Sequence, residues 1–468
     1  MNTGDVVTVT IDRVGAEGDG IAVTPDGTTL FIPNVLPGER ITAEARQQRG
    51  GGWFASLSDI LHASDARVPP PCVHFGECGG CVLQHWRDAE YRAWKTGLLE
   101  AALRRAGFED PPIEPIEVTP PRSRRRMDLA ARRTPRGVAV GLHARMIVPS
   151  PAARHRAAER IDAAKRIDGA MRIDPTQRER VRVRLPQTAD TICDLTECHV
   201  LHPALFALVA PLRGLLPRLQ SFRREASIIA NMLDHGIDLL LRIDAPLDRG
   251  DRERLIEFAR AHRLLRVSTA SMQGEPEPVA VLQPPGITLS GVIVEPPPGA
   301  FLQASREGES AIVRAVLAAL PEKLPARARI AELYAGSGSI TFALAQRARV
   351  SAWEGDSAAA AALRQATNRS GLAGRVEVAQ RDLARQPIPA GELGNFAVVV
   401  LDPPFTGAAA QIAGAKAAHI IYVSCNPAVL ARDARTLHDA GYKLLTATPV
   451  DQFLWSARLE SICVFVRG

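Results

Sequence analysis

The sequence predicts an α/β protein: a doubly wound parallel sheet in its last third, a small β-barrel at its start, and an α+β region between. Three observations predict it. Apolar, β-type runs at 328–334, 350–354, 396–401 and 419–423 alternate with helix-length segments, the pattern of buried parallel strands joined by crossover helices. Residues 4–60 instead alternate apolar and polar side chains in short runs punctuated by turns, as small barrels do. The length of 468 residues exceeds one ordinary domain of ~100–200 residues.

Taken in order, Val6-Val7-Thr8-Val9-Thr10-Ile11, Gly20-Ile21-Ala22-Val23, Thr29-Leu30-Phe31-Ile32 and Arg40-Ile41-Thr42-Ala43 read as strands, with turns at Pro25-Asp26-Gly27 and Pro37-Gly38. Their spacing suggests a five-stranded barrel of the oligonucleotide-binding (OB) type; an SH3-like barrel fits the same pattern. Pro69-Pro70-Pro71 marks a boundary, and residues 86–107 read as an amphipathic helix ending at Gly107. The stretch of about 146–188 is Arg-rich and weakly periodic, an insertion or helical hairpin. From about 200 to 285, strand-like runs such as Ile228-Ile229-Ala230 and Leu239-Leu240-Leu241-Arg242-Ile243 alternate with helical stretches, giving the α+β centre. A helix at 306–320 leads into the doubly wound sheet. The expected domains are 1–62, 63–285 and 286–468.

Hydrophobic content of 46% and charged content of 23% exclude a largely disordered or fibrous chain. No apolar run approaches the ~20 residues that span a bilayer, and Met1-Asn2-Thr3-Gly4-Asp5 lacks the features of a signal peptide. A soluble, cytoplasmic protein with no membrane partner is expected. The net charge is +6, from 57 basic and 51 acidic residues. It is unevenly spread: Arg122 to Arg184 holds 18 Lys or Arg against 6 Asp or Glu. Such a block is the footprint of a nucleic-acid binder. The bland alternative is a solvated basic helix, since only 5 of the 57 basic residues are Lys. Seven cysteines in a cytosolic chain do not read as a disulfide framework, yet Cys72, Cys78 and Cys81 lie within ten residues.

Ala331-Glu332-Leu333-Tyr334-Ala335-Gly336-Ser337-Gly338-Ser339-Ile340 follows a predicted strand and opens a helix. Gly336 and Gly338 let the backbone turn tightly and approach a ligand. The next strand ends at Glu354, placed to accept hydrogen bonds from a ribose diol. Arg381-Asp382 and Leu401-Asp402-Pro403-Pro404-Phe405 each follow another strand. Glycine loop, ribose acid, adenine-side Asp382 and Asp-Pro-Pro form the layout of class I S-adenosylmethionine enzymes; a nicotinamide enzyme is the alternative.

Tyr422-Val423-Ser424-Cys425-Asn426-Pro427 lies at the carboxyl end of a strand, the edge where doubly wound folds keep their sites. A free Cys is usually a buried core thiol, but Ser424, Asn426 and Pro427 argue against simple burial here. Glu460 precedes the apolar strand Ile462–Val466 and is a candidate base; Cys463 reads as core. A thiol, a carboxylate and S-adenosylmethionine suit one reaction. Pyrimidine C5 is too weak a nucleophile until a thiolate adds at C6, and a base then removes the C5 proton. The target base must leave its stack to be reached.

On these motifs the chain resembles the RNA uracil-5 (5-methyluridine) methyltransferases, a class I, Rossmann-like family, over most of its length. The N-terminal barrel resembles a TRAM domain, an RNA-binding module. Cys72-x5-Cys78-Gly79-Gly80-Cys81-x2-Gln84-His85 resembles the family's iron–sulfur motif. Glu197-Cys198-His199 resembles the segment giving the fourth ligand, so the resemblance implies a [4Fe–4S] cluster on Cys72, Cys78, Cys81 and Cys198 in the central domain. Cys193 is the competing fourth ligand and zinc the chemical alternative. Phe301-Leu302-Gln303 resembles the family's Phe-x-Gln segment. Gln303, Tyr334, Ser339, Glu354 and Asp402 are thereby implied in S-adenosylmethionine binding, with Asp382 a further candidate. Cys425 and Glu460 are implied as nucleophile and base, and Asp451-x-Phe453 followed by Glu460 matches the C-terminal motif.

Four positions depart from the family pattern: Phe405 replaces the Arg after Asp-Pro-Pro, Arg458 a His, Leu454 a Pro and Ser339 an Asn. The resemblance implies a monomer acting on RNA, 23S rRNA ahead of tRNA. The alternatives are an amino-group methyltransferase, which Phe405 suggests, and a non-catalytic RNA-binding factor on a relic fold.

Overall fold

The computed structural model describes residues 1–145 and 191–467; the Arg-rich segment expected at about 146–188 lies outside the described residues. Two compact units form. One comprises Met1–Tyr91, Leu142–Cys193 and Trp455–Ala457, the other Arg92–Gly141, Asp194–Leu454 and Arg458–Gly468. Among the described residues no helix is long and apolar enough to cross a membrane.

The first unit is built on β1 (Val6–Thr10), β2 (Arg13–Val14), β3 (Gly20–Val23), β4 (Thr29–Ile32), β5 (Arg40–Arg49) and β6 (Gly52–His62), in spatial order β1-β5-β6-β4-β3-β2. The two-residue strand β2 adds a sixth to the five expected; its shortness left no alternation to read. Alternation places Ile41, Ala43 and Ala45 of β5 inside, where they join Val9, Ile11, Leu30, Ile32 and Ala55 in burial. Leaving the barrel, the chain is pinned by Glu39. This buried carboxylate takes the Arg67 guanidinium at 2.6 and 2.8 Å and the Leu36 N–H at 2.8 Å, fixing the approach to Cys72.

The helix Asp88–Arg105 stops two residues short of Gly107, whose φ of 106° no L side chain adopts readily. The strands that follow are β7 (Glu117–Val118), β8 (Arg126–Thr134), β9 (Gly137–His143), β10 (Ile192–Asp194), β11 (Glu225–Met232), β12 (Ile237–Ile243), β13 (Arg266–Ser271) and β14 (Glu277–Val281). Apart from β7 they form one mixed sheet, ordered β10-β9-β8-β11-β12-β13-β14. Its parallel pair, β12 with β13, is joined by the helix Arg249–Ala261, as a parallel crossover requires. A hairpin of β15 (Ile287–Leu289) and β16 (Val292–Val294) leads on.

The doubly wound sheet contains β17 (Arg329–Leu333), β18 (Arg349–Glu354), β19 (Val376–Gln380), β20 (Val398–Leu401), β21 (His419–Ser424), β22 (Lys443–Asp451) and β23 (Glu460–Val466). Their order is β19-β18-β17-β20-β21-β23-β22, with β7 at the outer edge. The first five are parallel, and β23 enters antiparallel between β21 and β22. Alternate residues feed two cores: Ile330, Val398, Val400, Ile421 and Val423 on one face, Ala331, Val399, Leu401, Ile420 and Tyr422 on the other. Burial on both faces explains why these strands read as continuous apolar runs. The helix expected at 306–320 spans Arg306–Ala318, and the Ser305 hydroxyl caps it by accepting the Gly308 N–H at 2.9 Å.

Candidate active site

Parallel strands place their carboxyl ends on one edge. Tyr334, Glu354, Asp402 and Cys425 stand at the ends of β17, β18, β20 and β21, so four separate segments converge there. Strand β23 runs the opposite way, with Ser461 facing Ser424. Its first residue, Glu460, therefore reaches the same edge beside Cys425. It begins the strand rather than preceding it, as the sequence suggested. Strand β22, pairing Val450 with Glu460, delivers Asp451 and Gln452 to that edge as well.

The glycine loop leaves β17 through residues of positive φ: Tyr334 (67°), Gly336 (56°) and Gly338 (101°). A Cβ on Gly338 would meet Leu363 at 2.6 Å and Phe342 at 2.7 Å, so glycine is required there. The Gly336 N–H donates to Glu354 Oε2 at 2.7 Å, and Glu354 Oε1 accepts the Asp356 N–H at 2.7 Å. Glu354 and the glycine loop are thus tied together. The Ser339 hydroxyl lies 3.5 Å from Glu309 Oε2. Asp382 is exposed, and its carboxylate accepts the N–H groups of Ala384 and Arg385 at 3.0 and 3.2 Å, a turn-capping role.

A chain of hydrogen-bonded side chains runs from Asp402 to Glu460. Gln303 Nε2 donates to Asp402 Oδ2 at 3.4 Å. Gln452 Nε2 donates to Gln303 Oε1 at 2.6 Å and to Glu460 Oε2 at 2.8 Å. Gln452 Oε1 accepts the Ala304 N–H at 2.9 Å. Burial, reinforced by the Glu354 charge, pushes Asp402 up to about 7. Burial and then the Asp402 charge push Glu460 up to about 8, while the Gln452 amide opposes the rise. The Cys425 thiol is pushed up to about 12 by burial, then by Glu460 and Asp402; the Arg458 cation pulls the other way.

Two residues of this cluster were not singled out from the sequence. Gln452 is the unspecified position inside Asp451-x-Phe453, and nothing in the pattern marks its role. Glu332 opens the glycine motif. Burial pushes its carboxyl up to about 8, and its Oε2 has no hydrogen-bond partner among the described residues; an acid interrupting the apolar run of β17 was the available signal.

Neighbouring groups fix the edge. Asn426 caps the helix Pro427–Asp439, its Oδ1 accepting the N–H groups of Ala428 and Val429 at 3.1 and 3.4 Å. The buried Lys95 donates to Asp451 Oδ1 at 2.9 Å and to the Arg458 carbonyl oxygen, binding both ends of the connection from β22 to β23. Cys463 lies in the core, as expected.

In the first unit, Cys72, Cys78 and Cys81 share one loop, where Gln84 Oε1 accepts the Cys72 N–H at 3.3 Å. The Cys193 thiol donates to Cys78, and Cys193 Sγ lies 3.6 Å from His74 Nδ1. Cys198 belongs to the second unit, where its Sγ accepts the Leu201 N–H at 3.4 Å.

The TRAM domain matches residues 2–51, and a family described as conserved hypothetical protein 95 matches residues 310–420. An uncharacterized RNA methyltransferase of Brucella suis biovar 1 is 34% identical over 463 residues, covering 98% of each chain. The 23S rRNA (uracil(1939)-C(5))-methyltransferase RlmD of Chromohalobacter salexigens is 31% identical over 473 residues, covering 98% of this chain and 89% of RlmD. The chain belongs to the S-adenosylmethionine-dependent RNA uracil-5 methyltransferase family. The fold is shared with a solved methyltransferase. The Pyrococcus abyssi tRNA (uracil-54, C5)-methyltransferase, solved with S-adenosyl-L-homocysteine, gives a TM-score of 0.66 at 17% identity. That match covers 98% of this chain and 100% of the other.

Proposed function

We propose that the chain methylates C5 of a uridine in 23S rRNA, with Cys425 as covalent nucleophile and Glu460 as base. The observation that carries this reading is the meeting of Cys425 and Glu460 at one sheet edge, linked through Gln452 and Gln303 to Asp402. The rRNA substrate is supported by the likeness to RlmD over nearly the whole chain.

The edge suits S-adenosylmethionine. Glu354 accepts one backbone N–H on each oxygen, leaving lone pairs for two hydroxyls, and the partnerless Glu332 Oε2 is an acceptor for an ammonium group. Gln303, Tyr334, Ser339, Glu354 and Asp402 would hold it, with Asp382 at the adenine side. Bound there, it would supply an electrophilic methyl group, the methyl–sulfonium bond breaking to leave the neutral thioether S-adenosyl-L-homocysteine. The Cys425 thiolate forms an S–C6 bond, and the C5=C6 electrons move onto the C4 carbonyl oxygen, which makes C5 nucleophilic. Once C5 carries the methyl group, the Glu460 carboxylate takes the C5 proton. The C5=C6 bond re-forms, the S–C6 bond breaks, and Cys425 returns as thiolate.

Cys72, Cys78, Cys81 and Cys198 are assigned to a [4Fe–4S] cluster, with Cys193 as the alternative fourth ligand. Three thiols on one loop support a soft-metal site, and the Cys193 thiol beside Cys78 favours the alternative fourth ligand. Its role would be to hold the fold or position RNA, because methyl transfer needs no electron. The segments 1–62 and 63–285 would grip the RNA and 286–468 carry out the chemistry, in a cytoplasmic monomer.

The test is tritium release from unmodified rRNA and tRNA labelled at uracil C5, with wild type and Cys425→Ala. Release from rRNA, dependent on S-adenosylmethionine and lost in the variant, is expected. Methyl transfer without tritium release would overturn the uracil-C5 mechanism in favour of an amino-group target. Release from tRNA alone would keep the mechanism and change the substrate.

A further inference from the structure

Phe405 is an oddity at this edge. It follows Asp402-Pro403-Pro404, yet about half of it (49%) stays exposed, next to a nucleophile rather than inside a core. It is also firmly held. Its carbonyl oxygen accepts from Asn426 Nδ2 at 3.3 Å. The Thr406 carbonyl oxygen accepts from Arg432 at 2.9 Å, and the Ala408 N–H donates to the buried Asp433 carboxylate at 2.8 Å. Gly407, with φ of 88°, completes the turn; a Cβ there would meet Val429 at 2.4 Å. An exposed aromatic on so fixed a loop is presented, not left over.

The Arg458 guanidinium lies over this ring, 4.5 Å from its centroid. Arg458 stands two residues before Glu460 and is anchored at its carbonyl oxygen by Lys95. A planar cation stacked on an exposed aromatic ring is the surface that takes up nucleobases, since every base offers a π-face and RNA brings negative charge. The motif occurs twice in this unit. Phe301, 71% exposed and two residues before Gln303, has the Arg126 guanidinium 5.5 Å from its ring centroid.

We propose that Phe405 and Arg458 form a stacking platform that receives a nucleobase of the RNA substrate at the mouth of the Cys425 site. The platform deepens the reading of the chain as an RNA uracil-5 methyltransferase and rests on it. The pair divides two tasks. Phe405 and the guanidinium plane bind the base, and the Arg458 charge also favours the Cys425 thiolate against the opposing Asp402 and Glu460 carboxylates.

The test measures binding of a single-stranded, uridine-containing RNA oligonucleotide by Phe405→Ala, Phe405→Trp, Arg458→Ala and Arg458→Lys, with tritium release measured in parallel and the melting temperature as a check on folding. Losing one base stack weakens binding about 5- to 150-fold. Phe405→Ala should fall in that range and raise KM for RNA more than it lowers kcat. Phe405→Trp should bind as wild type or tighter, with its indole fluorescence quenched by RNA. Arg458→Lys should weaken binding yet keep the rising limb of the pH–rate profile in place, whereas Arg458→Ala should move that limb to higher pH. Wild-type affinity in folded Phe405→Ala and Arg458→Ala would overturn the platform. The binding readout needs no turnover, so absence of tritium release from wild type would defeat the uracil-C5 reading while the affinities still decide the platform.

Discussion

As the proposed base, Glu460 must be ionised to take the C5 proton, yet burial and the Asp402 charge favour its protonated form at neutral pH. With its pKa pushed up to about 8 by burial and by Asp402, only about a tenth of the carboxyl is ionised at pH 7 and about nine-tenths at pH 9. Proton removal should therefore speed up about tenfold across that interval. Gln452 is the lever. Its Nε2 donates to Glu460 Oε2 at 2.8 Å, and a hydrogen bond to a charged group contributes about 1.5–3 kcal/mol. Replacing it in Gln452→Met, similar in size but with no donor, should raise the Glu460 pKa by about one to two units. The rising limb then moves alkaline by that amount, the rate at pH 7 drops about 10- to 100-fold, and raising the pH restores it.

The assay is single-turnover release of C5 tritium at saturating RNA and S-adenosylmethionine, with the protein–RNA adduct followed on denaturing gels. The adduct separates two causes of a rising limb, because the Cys425 thiol also titrates upward. If the protonated base is limiting, the S–C6 adduct accumulates at low pH; if thiol ionisation is limiting, no adduct builds up. A rate flat from pH 6.5 to 9 with a full isotope effect at C5 would refute Glu460 as the base. An unmoved limb in Gln452→Met would refute the role given to Gln452.

Three further outcomes are expected. Lys95→Met removes the cation that faces Asp451 in an ion pair whose side chains are both fully buried, and breaking such a pair costs about 3–5 kcal/mol; its melting temperature should fall by several degrees and recover in part in Lys95→Met/Asp451→Leu. The Glu332 carboxyl is raised by burial to about 8, so its contribution to stability is complete below its unfolded value and lost as pH rises through about 8. Melting from pH 6 to 9 should show wild type losing stability with pH and Glu332→Gln losing less, by up to about 1.4 kcal/mol per pH unit; parallel curves would contradict this. Cys78→Ser, purified without oxygen, should lose iron, melting temperature and RNA affinity together, and normal iron content would remove Cys78 from the ligand set.

Much of the fold was legible because the doubly wound sheet buries both faces of its strands. The runs at 328–334, 350–354, 396–401 and 419–423 reappear as β17, β18, β20 and β21 to within about two residues. Elements outside that regime were harder to read. Strand β2 is two residues long, too short for any period. Strand β22 carries Lys443, Thr446 and Thr448 among its apolar residues, and its place beside β23 is set by long-range pairing that no local pattern encodes.

The candidate site divides along the same line. Residues that sit at the end of a strand announced themselves: Glu354, Asp402 and Cys425 are polar groups that end apolar runs, and topology alone brings them to one edge. Residues that connect these groups stayed silent, because a hydrogen bond between Gln303 and Gln452 spans 149 positions of sequence. Phe405 and Arg458 illustrate the point best. Each taken alone is a departure from the family pattern, and the aromatic residue after Asp-Pro-Pro even suggests a different reaction. The structure lays one over the other, so they are a single feature: an exposed ring and a cation beside the proposed nucleophile. Two departures that touch carry more than either does alone, and the proposed platform is the reading that joins them.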